Sequence, residues 1–99
     1  MKPFYVFRHF HIPAYMGEGL IRWIEHGILP GEFLQAVLRN DLMGAVHRAD
    51  GTNIENLPAY IGYLYNEAPQ GCFGSPEAVK AWEEKHRKAR EEARLRATL

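Results

Sequence analysis

Cysteine and long apolar runs are almost absent from this 99-residue chain, and each absence excludes a class of protein. The single cysteine, Cys72, cannot form an internal disulfide, so the sequence favours a reducing, cytoplasmic setting. No apolar run approaches the roughly 20 residues of a membrane-spanning helix, and we expect no membrane partner. The first residues reach Arg8 and His9 without the apolar stretch of a secretory signal, which also indicates the cytoplasm.

Net charge is also absent, but the charged residues are unevenly distributed. Twelve Lys and Arg residues balance twelve Asp and Glu residues. Residues 1–79 carry five basic and eight acidic side chains, a net charge of −3, whereas residues 80–99 carry seven and four, a net charge of +3. A mildly acidic body followed by a mildly basic segment is not the pattern of a strong polyanion binder.

The length and composition fit one globular domain with a single core, since 46% of the residues are apolar. Residues 1–12 are expected to be an aromatic N-terminal arm, in which residues 4–12 predict an extended segment or a single β-strand. No second segment predicts a strand, so the arm must pack on helices or pair with another chain, which indicates a homo-oligomer through residues 4–12. Residues 13–85 form the expected helical domain, and residues 86–99 a charged helical tail that projects and frays.

Turn and capping residues divide the rest of the chain into helices, so the sequence predicts a mainly α fold, a small bundle of four to five helices. The first helix is expected over residues 13–26, and the second starts at Glu32. Whether the second helix breaks at residues 40–41 stays open. The next helix either begins near Leu57 or is kinked at Pro58.

Capping residues also predict where two later helices begin. Thr52 and Glu55 have the spacing of a capping box, in which each side chain accepts a hydrogen bond from a free backbone N–H. Ser75, followed by proline, starts the last helix, which is expected to dock only through its first turns. The apolar residues expected on the core-facing stripes of the central helices are Leu34, Val37, Leu38, Leu42, Val46, Leu57, Tyr60, Ile61, Leu64 and Tyr65.

No residue pattern in the chain matches a known catalytic motif. His9 and His11 would point to the same side of a strand, but two imidazoles are half of a zinc site and no further ligand has a matching spacing. Cys72 has no flanking signature of a nucleophile and is expected to be buried and inert. We therefore expect a non-enzymatic protein without catalytic residues, metal or cofactor, the alternative being an active site completed across an oligomer interface.

Aromatic and polar residues near one helix end are the best candidates for a binding site. Tyr63 lies off the apolar stripe of its helix and is expected to be exposed at least in part, and a glycine-flanked loop presents Phe73. Such residues are common at protein interfaces, and aromatic rings among polar groups can equally stack a nucleobase. Helix-end packing, with Asn66 capping carbonyls, is the alternative. The candidate binding residues are Tyr63, Asn66, Glu67, Phe73, Phe7, Arg8, His9, His11, Arg22 and Arg39.

Three sequence runs carry a resemblance to a known family: EHGILPGEFLQAVLRNDL (25–42), LYNEAP (64–69) and CFGSPE (72–77). They resemble small uncharacterised proteins encoded by bacteriophages and prophages, over about residues 25–82. In that family the position of Phe73 is usually tryptophan. The resemblance implies a viral accessory protein in the cytoplasm of a bacterial host, and it brings no activity or catalytic residue with it.

Three functional hypotheses follow from these observations. The first is a non-enzymatic phage accessory protein that binds a host protein, such as an inhibitor of a defence or regulatory protein. The second is a small-ligand binder, for instance a sponge for a nucleotide immune signal at an oligomer interface, where arginines meet phosphates and tyrosines stack the base. The third, a nucleic-acid binder acting through the basic C-terminal helix, is disfavoured by the glutamates within that helix.

Overall fold

A computed structural model describes residues 2–98 of the chain. In this part the protein is mainly helical, with six helices and one two-stranded sheet, which confirms the expected helical bundle with an extended N-terminal segment. The elements are β1 (Tyr5–Phe7), β2 (Phe10–Ile12), α1 (Ala14–His26), α2 (Glu32–Leu38), α3 (Leu42–Arg48), α4 (Gly51–Glu55), α5 (Leu57–Asn66) and α6 (Pro76–Ala97).

The N-terminal segment is a β-hairpin, so the expectation of a single strand is corrected. Strands β1 and β2 pair antiparallel, with Val6 opposite His11. The turn between them places Arg8 in the left-handed region, with φ of 57°. Glycine or asparagine usually marks such a turn, and the sequence has neither there. Because the strands satisfy each other, the argument for an oligomer from an unpaired strand no longer holds, and association through residues 4–12 stays a prediction.

The hairpin packs on α5, where a glycine lets the two elements approach closely. A Cβ atom at Gly62 would lie 2.6 Å from the Phe7 ring, so only glycine fits this position without a shift. The rings of Phe4 and Tyr5 contact the Tyr63 ring, with centroids 5.0 and 5.3 Å apart. These contacts make the hairpin part of the packed body, and they cover one side of α5.

A buried tryptophan on α1 joins three parts of the fold. The indole of Trp23 is completely buried, and its Nε1–H donates a hydrogen bond to the carbonyl oxygen of Cys72 at 2.9 Å. The Nε1–H of Trp82 on α6 donates to the backbone carbonyl of Trp23 at 3.0 Å. The loop between α5 and α6 also donates a backbone bond, from Gly74 to the carbonyl of Leu38 at the end of α2, at 2.7 Å. The core therefore lies between α1, α2, α5 and the start of α6.

Capping residues decide the two boundaries that the sequence left open. Asn40 is left-handed, with φ of 62°, and the Asp41 side chain accepts a bond from the N–H of Gly44 at 2.9 Å. The second helical segment therefore breaks into α2 and α3. Helix α5 begins at Leu57, which puts Pro58 in the first turn, where a missing N–H costs nothing.

The capping box expected at Thr52 and Glu55 is not formed, and this prediction is wrong. Asp50 is the N-cap of α4 instead, and its carboxylate accepts a bond from the N–H of Asn53 at 2.8 Å. Aspartate is itself among the best N-cap residues, so the helix starts before the threonine. The side-chain oxygen of Asn53 in turn accepts a bond from the buried Tyr60 hydroxyl at 2.7 Å, which ties α4 to α5.

Helix α6 docks further along its length than the sequence indicated. The His86 side chain packs on Gly27, the left-handed residue that ends α1, and the Arg90 guanidinium donates to the carbonyl of His26. The helix runs without a break to Ala97, and its side chains from Arg87 to Thr98 are exposed. Fraying of this segment stays a prediction.

The two helical glycines Gly62 and Gly19 provide a test of the hairpin packing. We expect Gly62→Ala to lower the free energy of unfolding by about 1–3 kcal/mol, because the new methyl group meets the Phe7 ring. The matched Gly19→Ala places its methyl in ordinary contact, 3.6 Å from Leu34, and should raise stability by up to about 1 kcal/mol. Urea unfolding followed by circular dichroism measures both, and equal stabilities for the two variants would contradict the packing.

Candidate protein-binding surface

The tyrosine singled out from the sequence is a packing residue. Tyr63 was expected to be exposed at least in part, and it is half-buried between α5 and the hairpin, where burial raises the pKa of its hydroxyl. Phe73, in the loop after α5, is likewise half-buried and packs against the core. The packing of Tyr63 was not foreseen because α5 has apolar residues on more than one side, so periodicity alone does not identify its buried face.

The polar residues beside Tyr63 remain on the surface. Asn66 and Glu67 are exposed at the end of α5. The Asn66 side chain does not cap a carbonyl of its helix but donates to the Tyr5 hydroxyl at 3.3 Å. Both residues therefore lie at the edge of the hairpin, where a partner can reach them.

The candidates on the hairpin divide between core and solvent. Phe7 packs on α5, whereas Arg8, His9 and His11 are exposed. His9 belongs to the turn, ahead of the first residue of β2, so the two histidines do not alternate along one strand as expected. Within residues 2–98 no group of three or more His, Cys, Asp or Glu side chains could hold a metal ion.

The arginines proposed to meet phosphates do not converge. Arg22 lines a groove of about 320 Å³ beside Tyr15 on α1. Arg39 lines a different depression of about 150 Å³ and donates to the Gln35 side chain at 3.0 Å. Arg8 lies at the hairpin turn with its guanidinium carbon 5.3 Å from the centre of the Phe7 ring. One chain therefore does not assemble these cations into a single phosphate-binding site.

A groove of about 550 Å³ lies between the N-terminal segment and α1. Its polar groups come from Lys2, His11 and Tyr15, and its walls include Pro3 and Pro13. These lining residues include no carboxylate, serine or cysteine, so His11 has no hydroxyl or thiol partner of the usual hydrolytic kind beside it other than the Tyr15 phenol.

Cys72 is built into the core. Its side chain is fully buried, and burial raises the pKa of the thiol to about 11. A thiol in this setting is neutral at physiological pH and out of reach of a substrate, which removes the conditions for nucleophilic catalysis.

Helix α3, and helices α4 and α5 together, form two surfaces with exposed large apolar side chains, and the sequence missed both surfaces. On α3, Leu42 and Val46 are 66% and 44% exposed, although both were expected to face the core. The break after α2 changes the direction of the chain, so α3 does not continue the apolar stripe of α2. Its neighbouring residue Met43 is also exposed.

The second surface is the outer side of α4 and α5, which we call the α5 face and define by Ile54, Ile61 and Tyr65. Ile61 and Tyr65 were also expected in the core, but they are 51% and 84% exposed. The hairpin and the core cover the sides of α5 that carry Gly62 and Leu64, and this packing turns the remaining apolar side toward solvent. The small residue Gly62 was the one sequence signal of where the hairpin would dock.

Comparisons with protein-family models, with curated proteins and with solved structures give no match to this chain. None of the six helices in the described part of the chain combines the length and the apolar character that crossing a bilayer requires. The candidate site is therefore assigned from the exposed side chains alone, and the apolar surfaces of α3 and α5 are its main features.

Thiol labelling tests the burial of Cys72. We expect the folded protein to be unreactive toward a disulfide reagent at pH 8, because a thiol of pKa about 11 is ionised to roughly one part in a thousand there and is also buried. The same reagent should label one thiol per chain in urea. Rapid labelling without denaturant would show that the loop opens and that Cys72 is a reactive group in the folded protein.

Proposed function

We propose that this chain is a non-enzymatic protein-binding module that contacts its partner mainly through the α5 face. The observation that carries the proposal is the exposure of Tyr65 and Ile61 on a ten-residue helix that contains no charged side chain. A surface helix normally turns charged residues to solvent. Tyrosine is enriched among the residues that dominate binding energy, and covering a large apolar side chain is worth roughly 1.5–3 kcal/mol.

The α5 face is favoured over the α3 surface because α5 is held on two sides. Helix α5 is anchored by Ala59, Tyr60 and Leu64, each at most 3% exposed, and by the hairpin on another side. A helix held on two sides keeps its outer side chains in place, and such preorganisation lowers the entropy cost of binding. The α5 face also presents a tyrosine, a residue enriched among binding hot spots, whereas the exposed large side chains of α3 are Leu42, Met43 and Val46.

The other two hypotheses have less support in the described residues. The arginines offered for a nucleotide do not line one groove, since Arg22 and Arg39 line different depressions and Arg8 lies at the hairpin turn. On α6, three arginines already pair with glutamates of the same helix: Arg87 with Glu84 at 2.5 Å and with Glu91 at 3.0 Å, Arg94 with Glu91 at 3.9 Å, and Arg96 with Glu92 at 3.4 Å. Nucleic-acid phosphates would have to compete with these carboxylates.

The resemblance to phage-encoded proteins supports a partner from the bacterial host, and a defence or regulatory protein is the target we propose. Small inhibitors of this kind act by stoichiometric occupation of a surface, which needs no chemistry on the inhibitor. The absence of a converging catalytic group in residues 2–98 is compatible with that mode of action.

Substitution on the α5 face tests the proposed function. We expect the double variant Ile61→Ala and Tyr65→Ala to lose a stoichiometric host complex, with affinity lowered about 100-fold or more, because two apolar contacts are removed. Its unfolding free energy should change by less than about 1 kcal/mol, since both side chains are exposed. Affinity isolation with a quantified partner, followed by titration, measures the loss.

Two matched controls locate the contact. Leu95→Ala removes an exposed leucine from α6, and Met43→Ala removes the most exposed apolar side chain of α3. Both variants should keep the complex. Loss of binding in Met43→Ala with full binding in the α5 double variant would move the site to α3 and contradict the proposal.

A further inference from the structure

We infer that the groove between the N-terminal segment and α1 binds a small molecule in which a flat ring carries a carboxylate or a phosphate group. This is a second function, separate from the protein contact of the α5 face and independent of it. The inference is carried by three side chains that line one groove, Lys2, His11 and Tyr15, and by the apolar walls between them.

The groove has the size and the walls of a small-molecule site. Its volume of about 550 Å³ lies within the range of roughly 300–1,000 Å³ that is typical of ligand pockets. Pro3, Pro13 and Ala14 provide apolar walls. The Tyr15 side chain also lines the groove and is 62% exposed, so its ring is available to a flat ligand that stacks on it.

The polar side chains of the groove are hydrogen-bond donors. The Lys2 ammonium only donates, and the His11 imidazole carries an N–H in either protonation state. Lys2 forms no ion pair with any residue in the range 2–98. The bond from His11 to the Asn56 side chain uses the backbone N–H, at 2.9 Å, so it does not occupy the imidazole. An oxyanion accepts bonds from both side chains, and charge-assisted bonds of this kind are the stronger ones.

The adjoining chain adds positive charge to this side of the molecule. Residues 2–17 contain no aspartate or glutamate, and the exposed Arg8 and His9 lie at the hairpin turn. None of the six residues that line the groove is acidic, so the one formal charge of the lining is that of Lys2. The potential that a small ligand meets there is therefore positive.

Two acids of neighbouring elements approach the groove without lining it. Glu18 on α1 lines an adjoining depression that shares Ala14 with the groove. Asp50, the N-cap of α4, lies near the Tyr60 hydroxyl, as Tyr15 does, since both contribute to the raised pKa of that hydroxyl. The Asp50 carboxylate already accepts the bond from the N–H of Asn53. Neither acid replaces the missing acceptor beside Lys2.

Other classes of ligand use less of the groove. A cation meets the charge of Lys2, and a metal ion finds neither a carboxylate nor a thiolate among the lining residues. An uncharged apolar molecule gains nothing from Lys2 and His11. A ring with one oxyanion uses both the walls and the donors, and carboxylate and phosphate share this chemistry.

Two pairs of probes test the inference by NMR titration of the intact ¹⁵N-labelled protein. They are indole-3-carboxylate with its amide, and adenosine monophosphate with adenosine. We expect at least one anionic probe to shift the amide signals of Ala14 and Tyr15 and to bind at least about tenfold more tightly than its neutral partner. The tighter of the two anionic probes identifies the ligand as a carboxylate or a phosphate. If neither anionic probe binds, or if each binds no better than its neutral partner, the inference is overturned.

Removal of the two basic donors should abolish this advantage. In the double variant Lys2→Gln and His11→Gln, the affinity for the anionic probe is expected to fall about tenfold or more. The matched control Arg8→Asn and His9→Gln removes two basic residues from the hairpin turn, and asparagine tolerates the left-handed angle of residue 8. The control should bind the probe as the intact protein does. An equal loss in the control would show that binding follows the net charge of the hairpin and would overturn the inference.

Substitution of the ring tests the other half of the ligand. We expect Tyr15→Ala to weaken the ring-bearing probe roughly tenfold, because stacking on the ring is lost. Unchanged affinity would refute a ligand read through a flat ring. The α5 double variant Ile61→Ala and Tyr65→Ala should bind the probe unchanged, so this inference and the proposed function fail independently. Loss of the probe in that variant would place it on the α5 face and contradict the groove.

Discussion

The hydrogen bond from the Trp23 indole to the Cys72 carbonyl is the contact on which the arrangement of the helices depends. It fixes the loop after α5 against α1, and the bond from Trp82 to the Trp23 carbonyl then places α6 on the same helix. A buried carbonyl without a donor costs roughly 1–3 kcal/mol, so the loop is stable only in the conformation that meets the indole. With the loop held there, the C-terminal end of α5 has a fixed position.

The exposure of the α5 face is a consequence of this arrangement rather than of a gap in the packing. Helix α5 is apolar on all sides, and the protein has enough elements to cover only some of them. The hairpin covers the side that carries Gly62, and the core covers the side of Tyr60 and Leu64. Within residues 2–98, no further element covers the side of Ile61 and Tyr65. In a surface that served stability alone, polar residues would be expected there.

The sequence predicted those features that depend on neighbouring residues. Gly27 ends α1, Asp41 caps α3 and Ser75 caps α6, because each of these side chains or backbone angles acts within one turn of helix. The same local chemistry explains the error at α4, where the N-cap is Asp50 and not Thr52. The mainly helical fold class could therefore be predicted, although the structure has six helices where four to five were expected.

Features that depend on distant contacts could not be predicted in this way. The hairpin turn has no glycine or asparagine, and the left-handed Arg8 is imposed by the packing of the flanking aromatic residues on α5. The buried side of α5 was likewise ambiguous, since Tyr63 and Tyr65 are equally apolar and only the docked hairpin distinguishes them. For that reason the candidate surface is assigned to Ile61 and Tyr65 instead of Tyr63 and Phe73, and the exposed Asn66 and Glu67 lie at the end of the same helix.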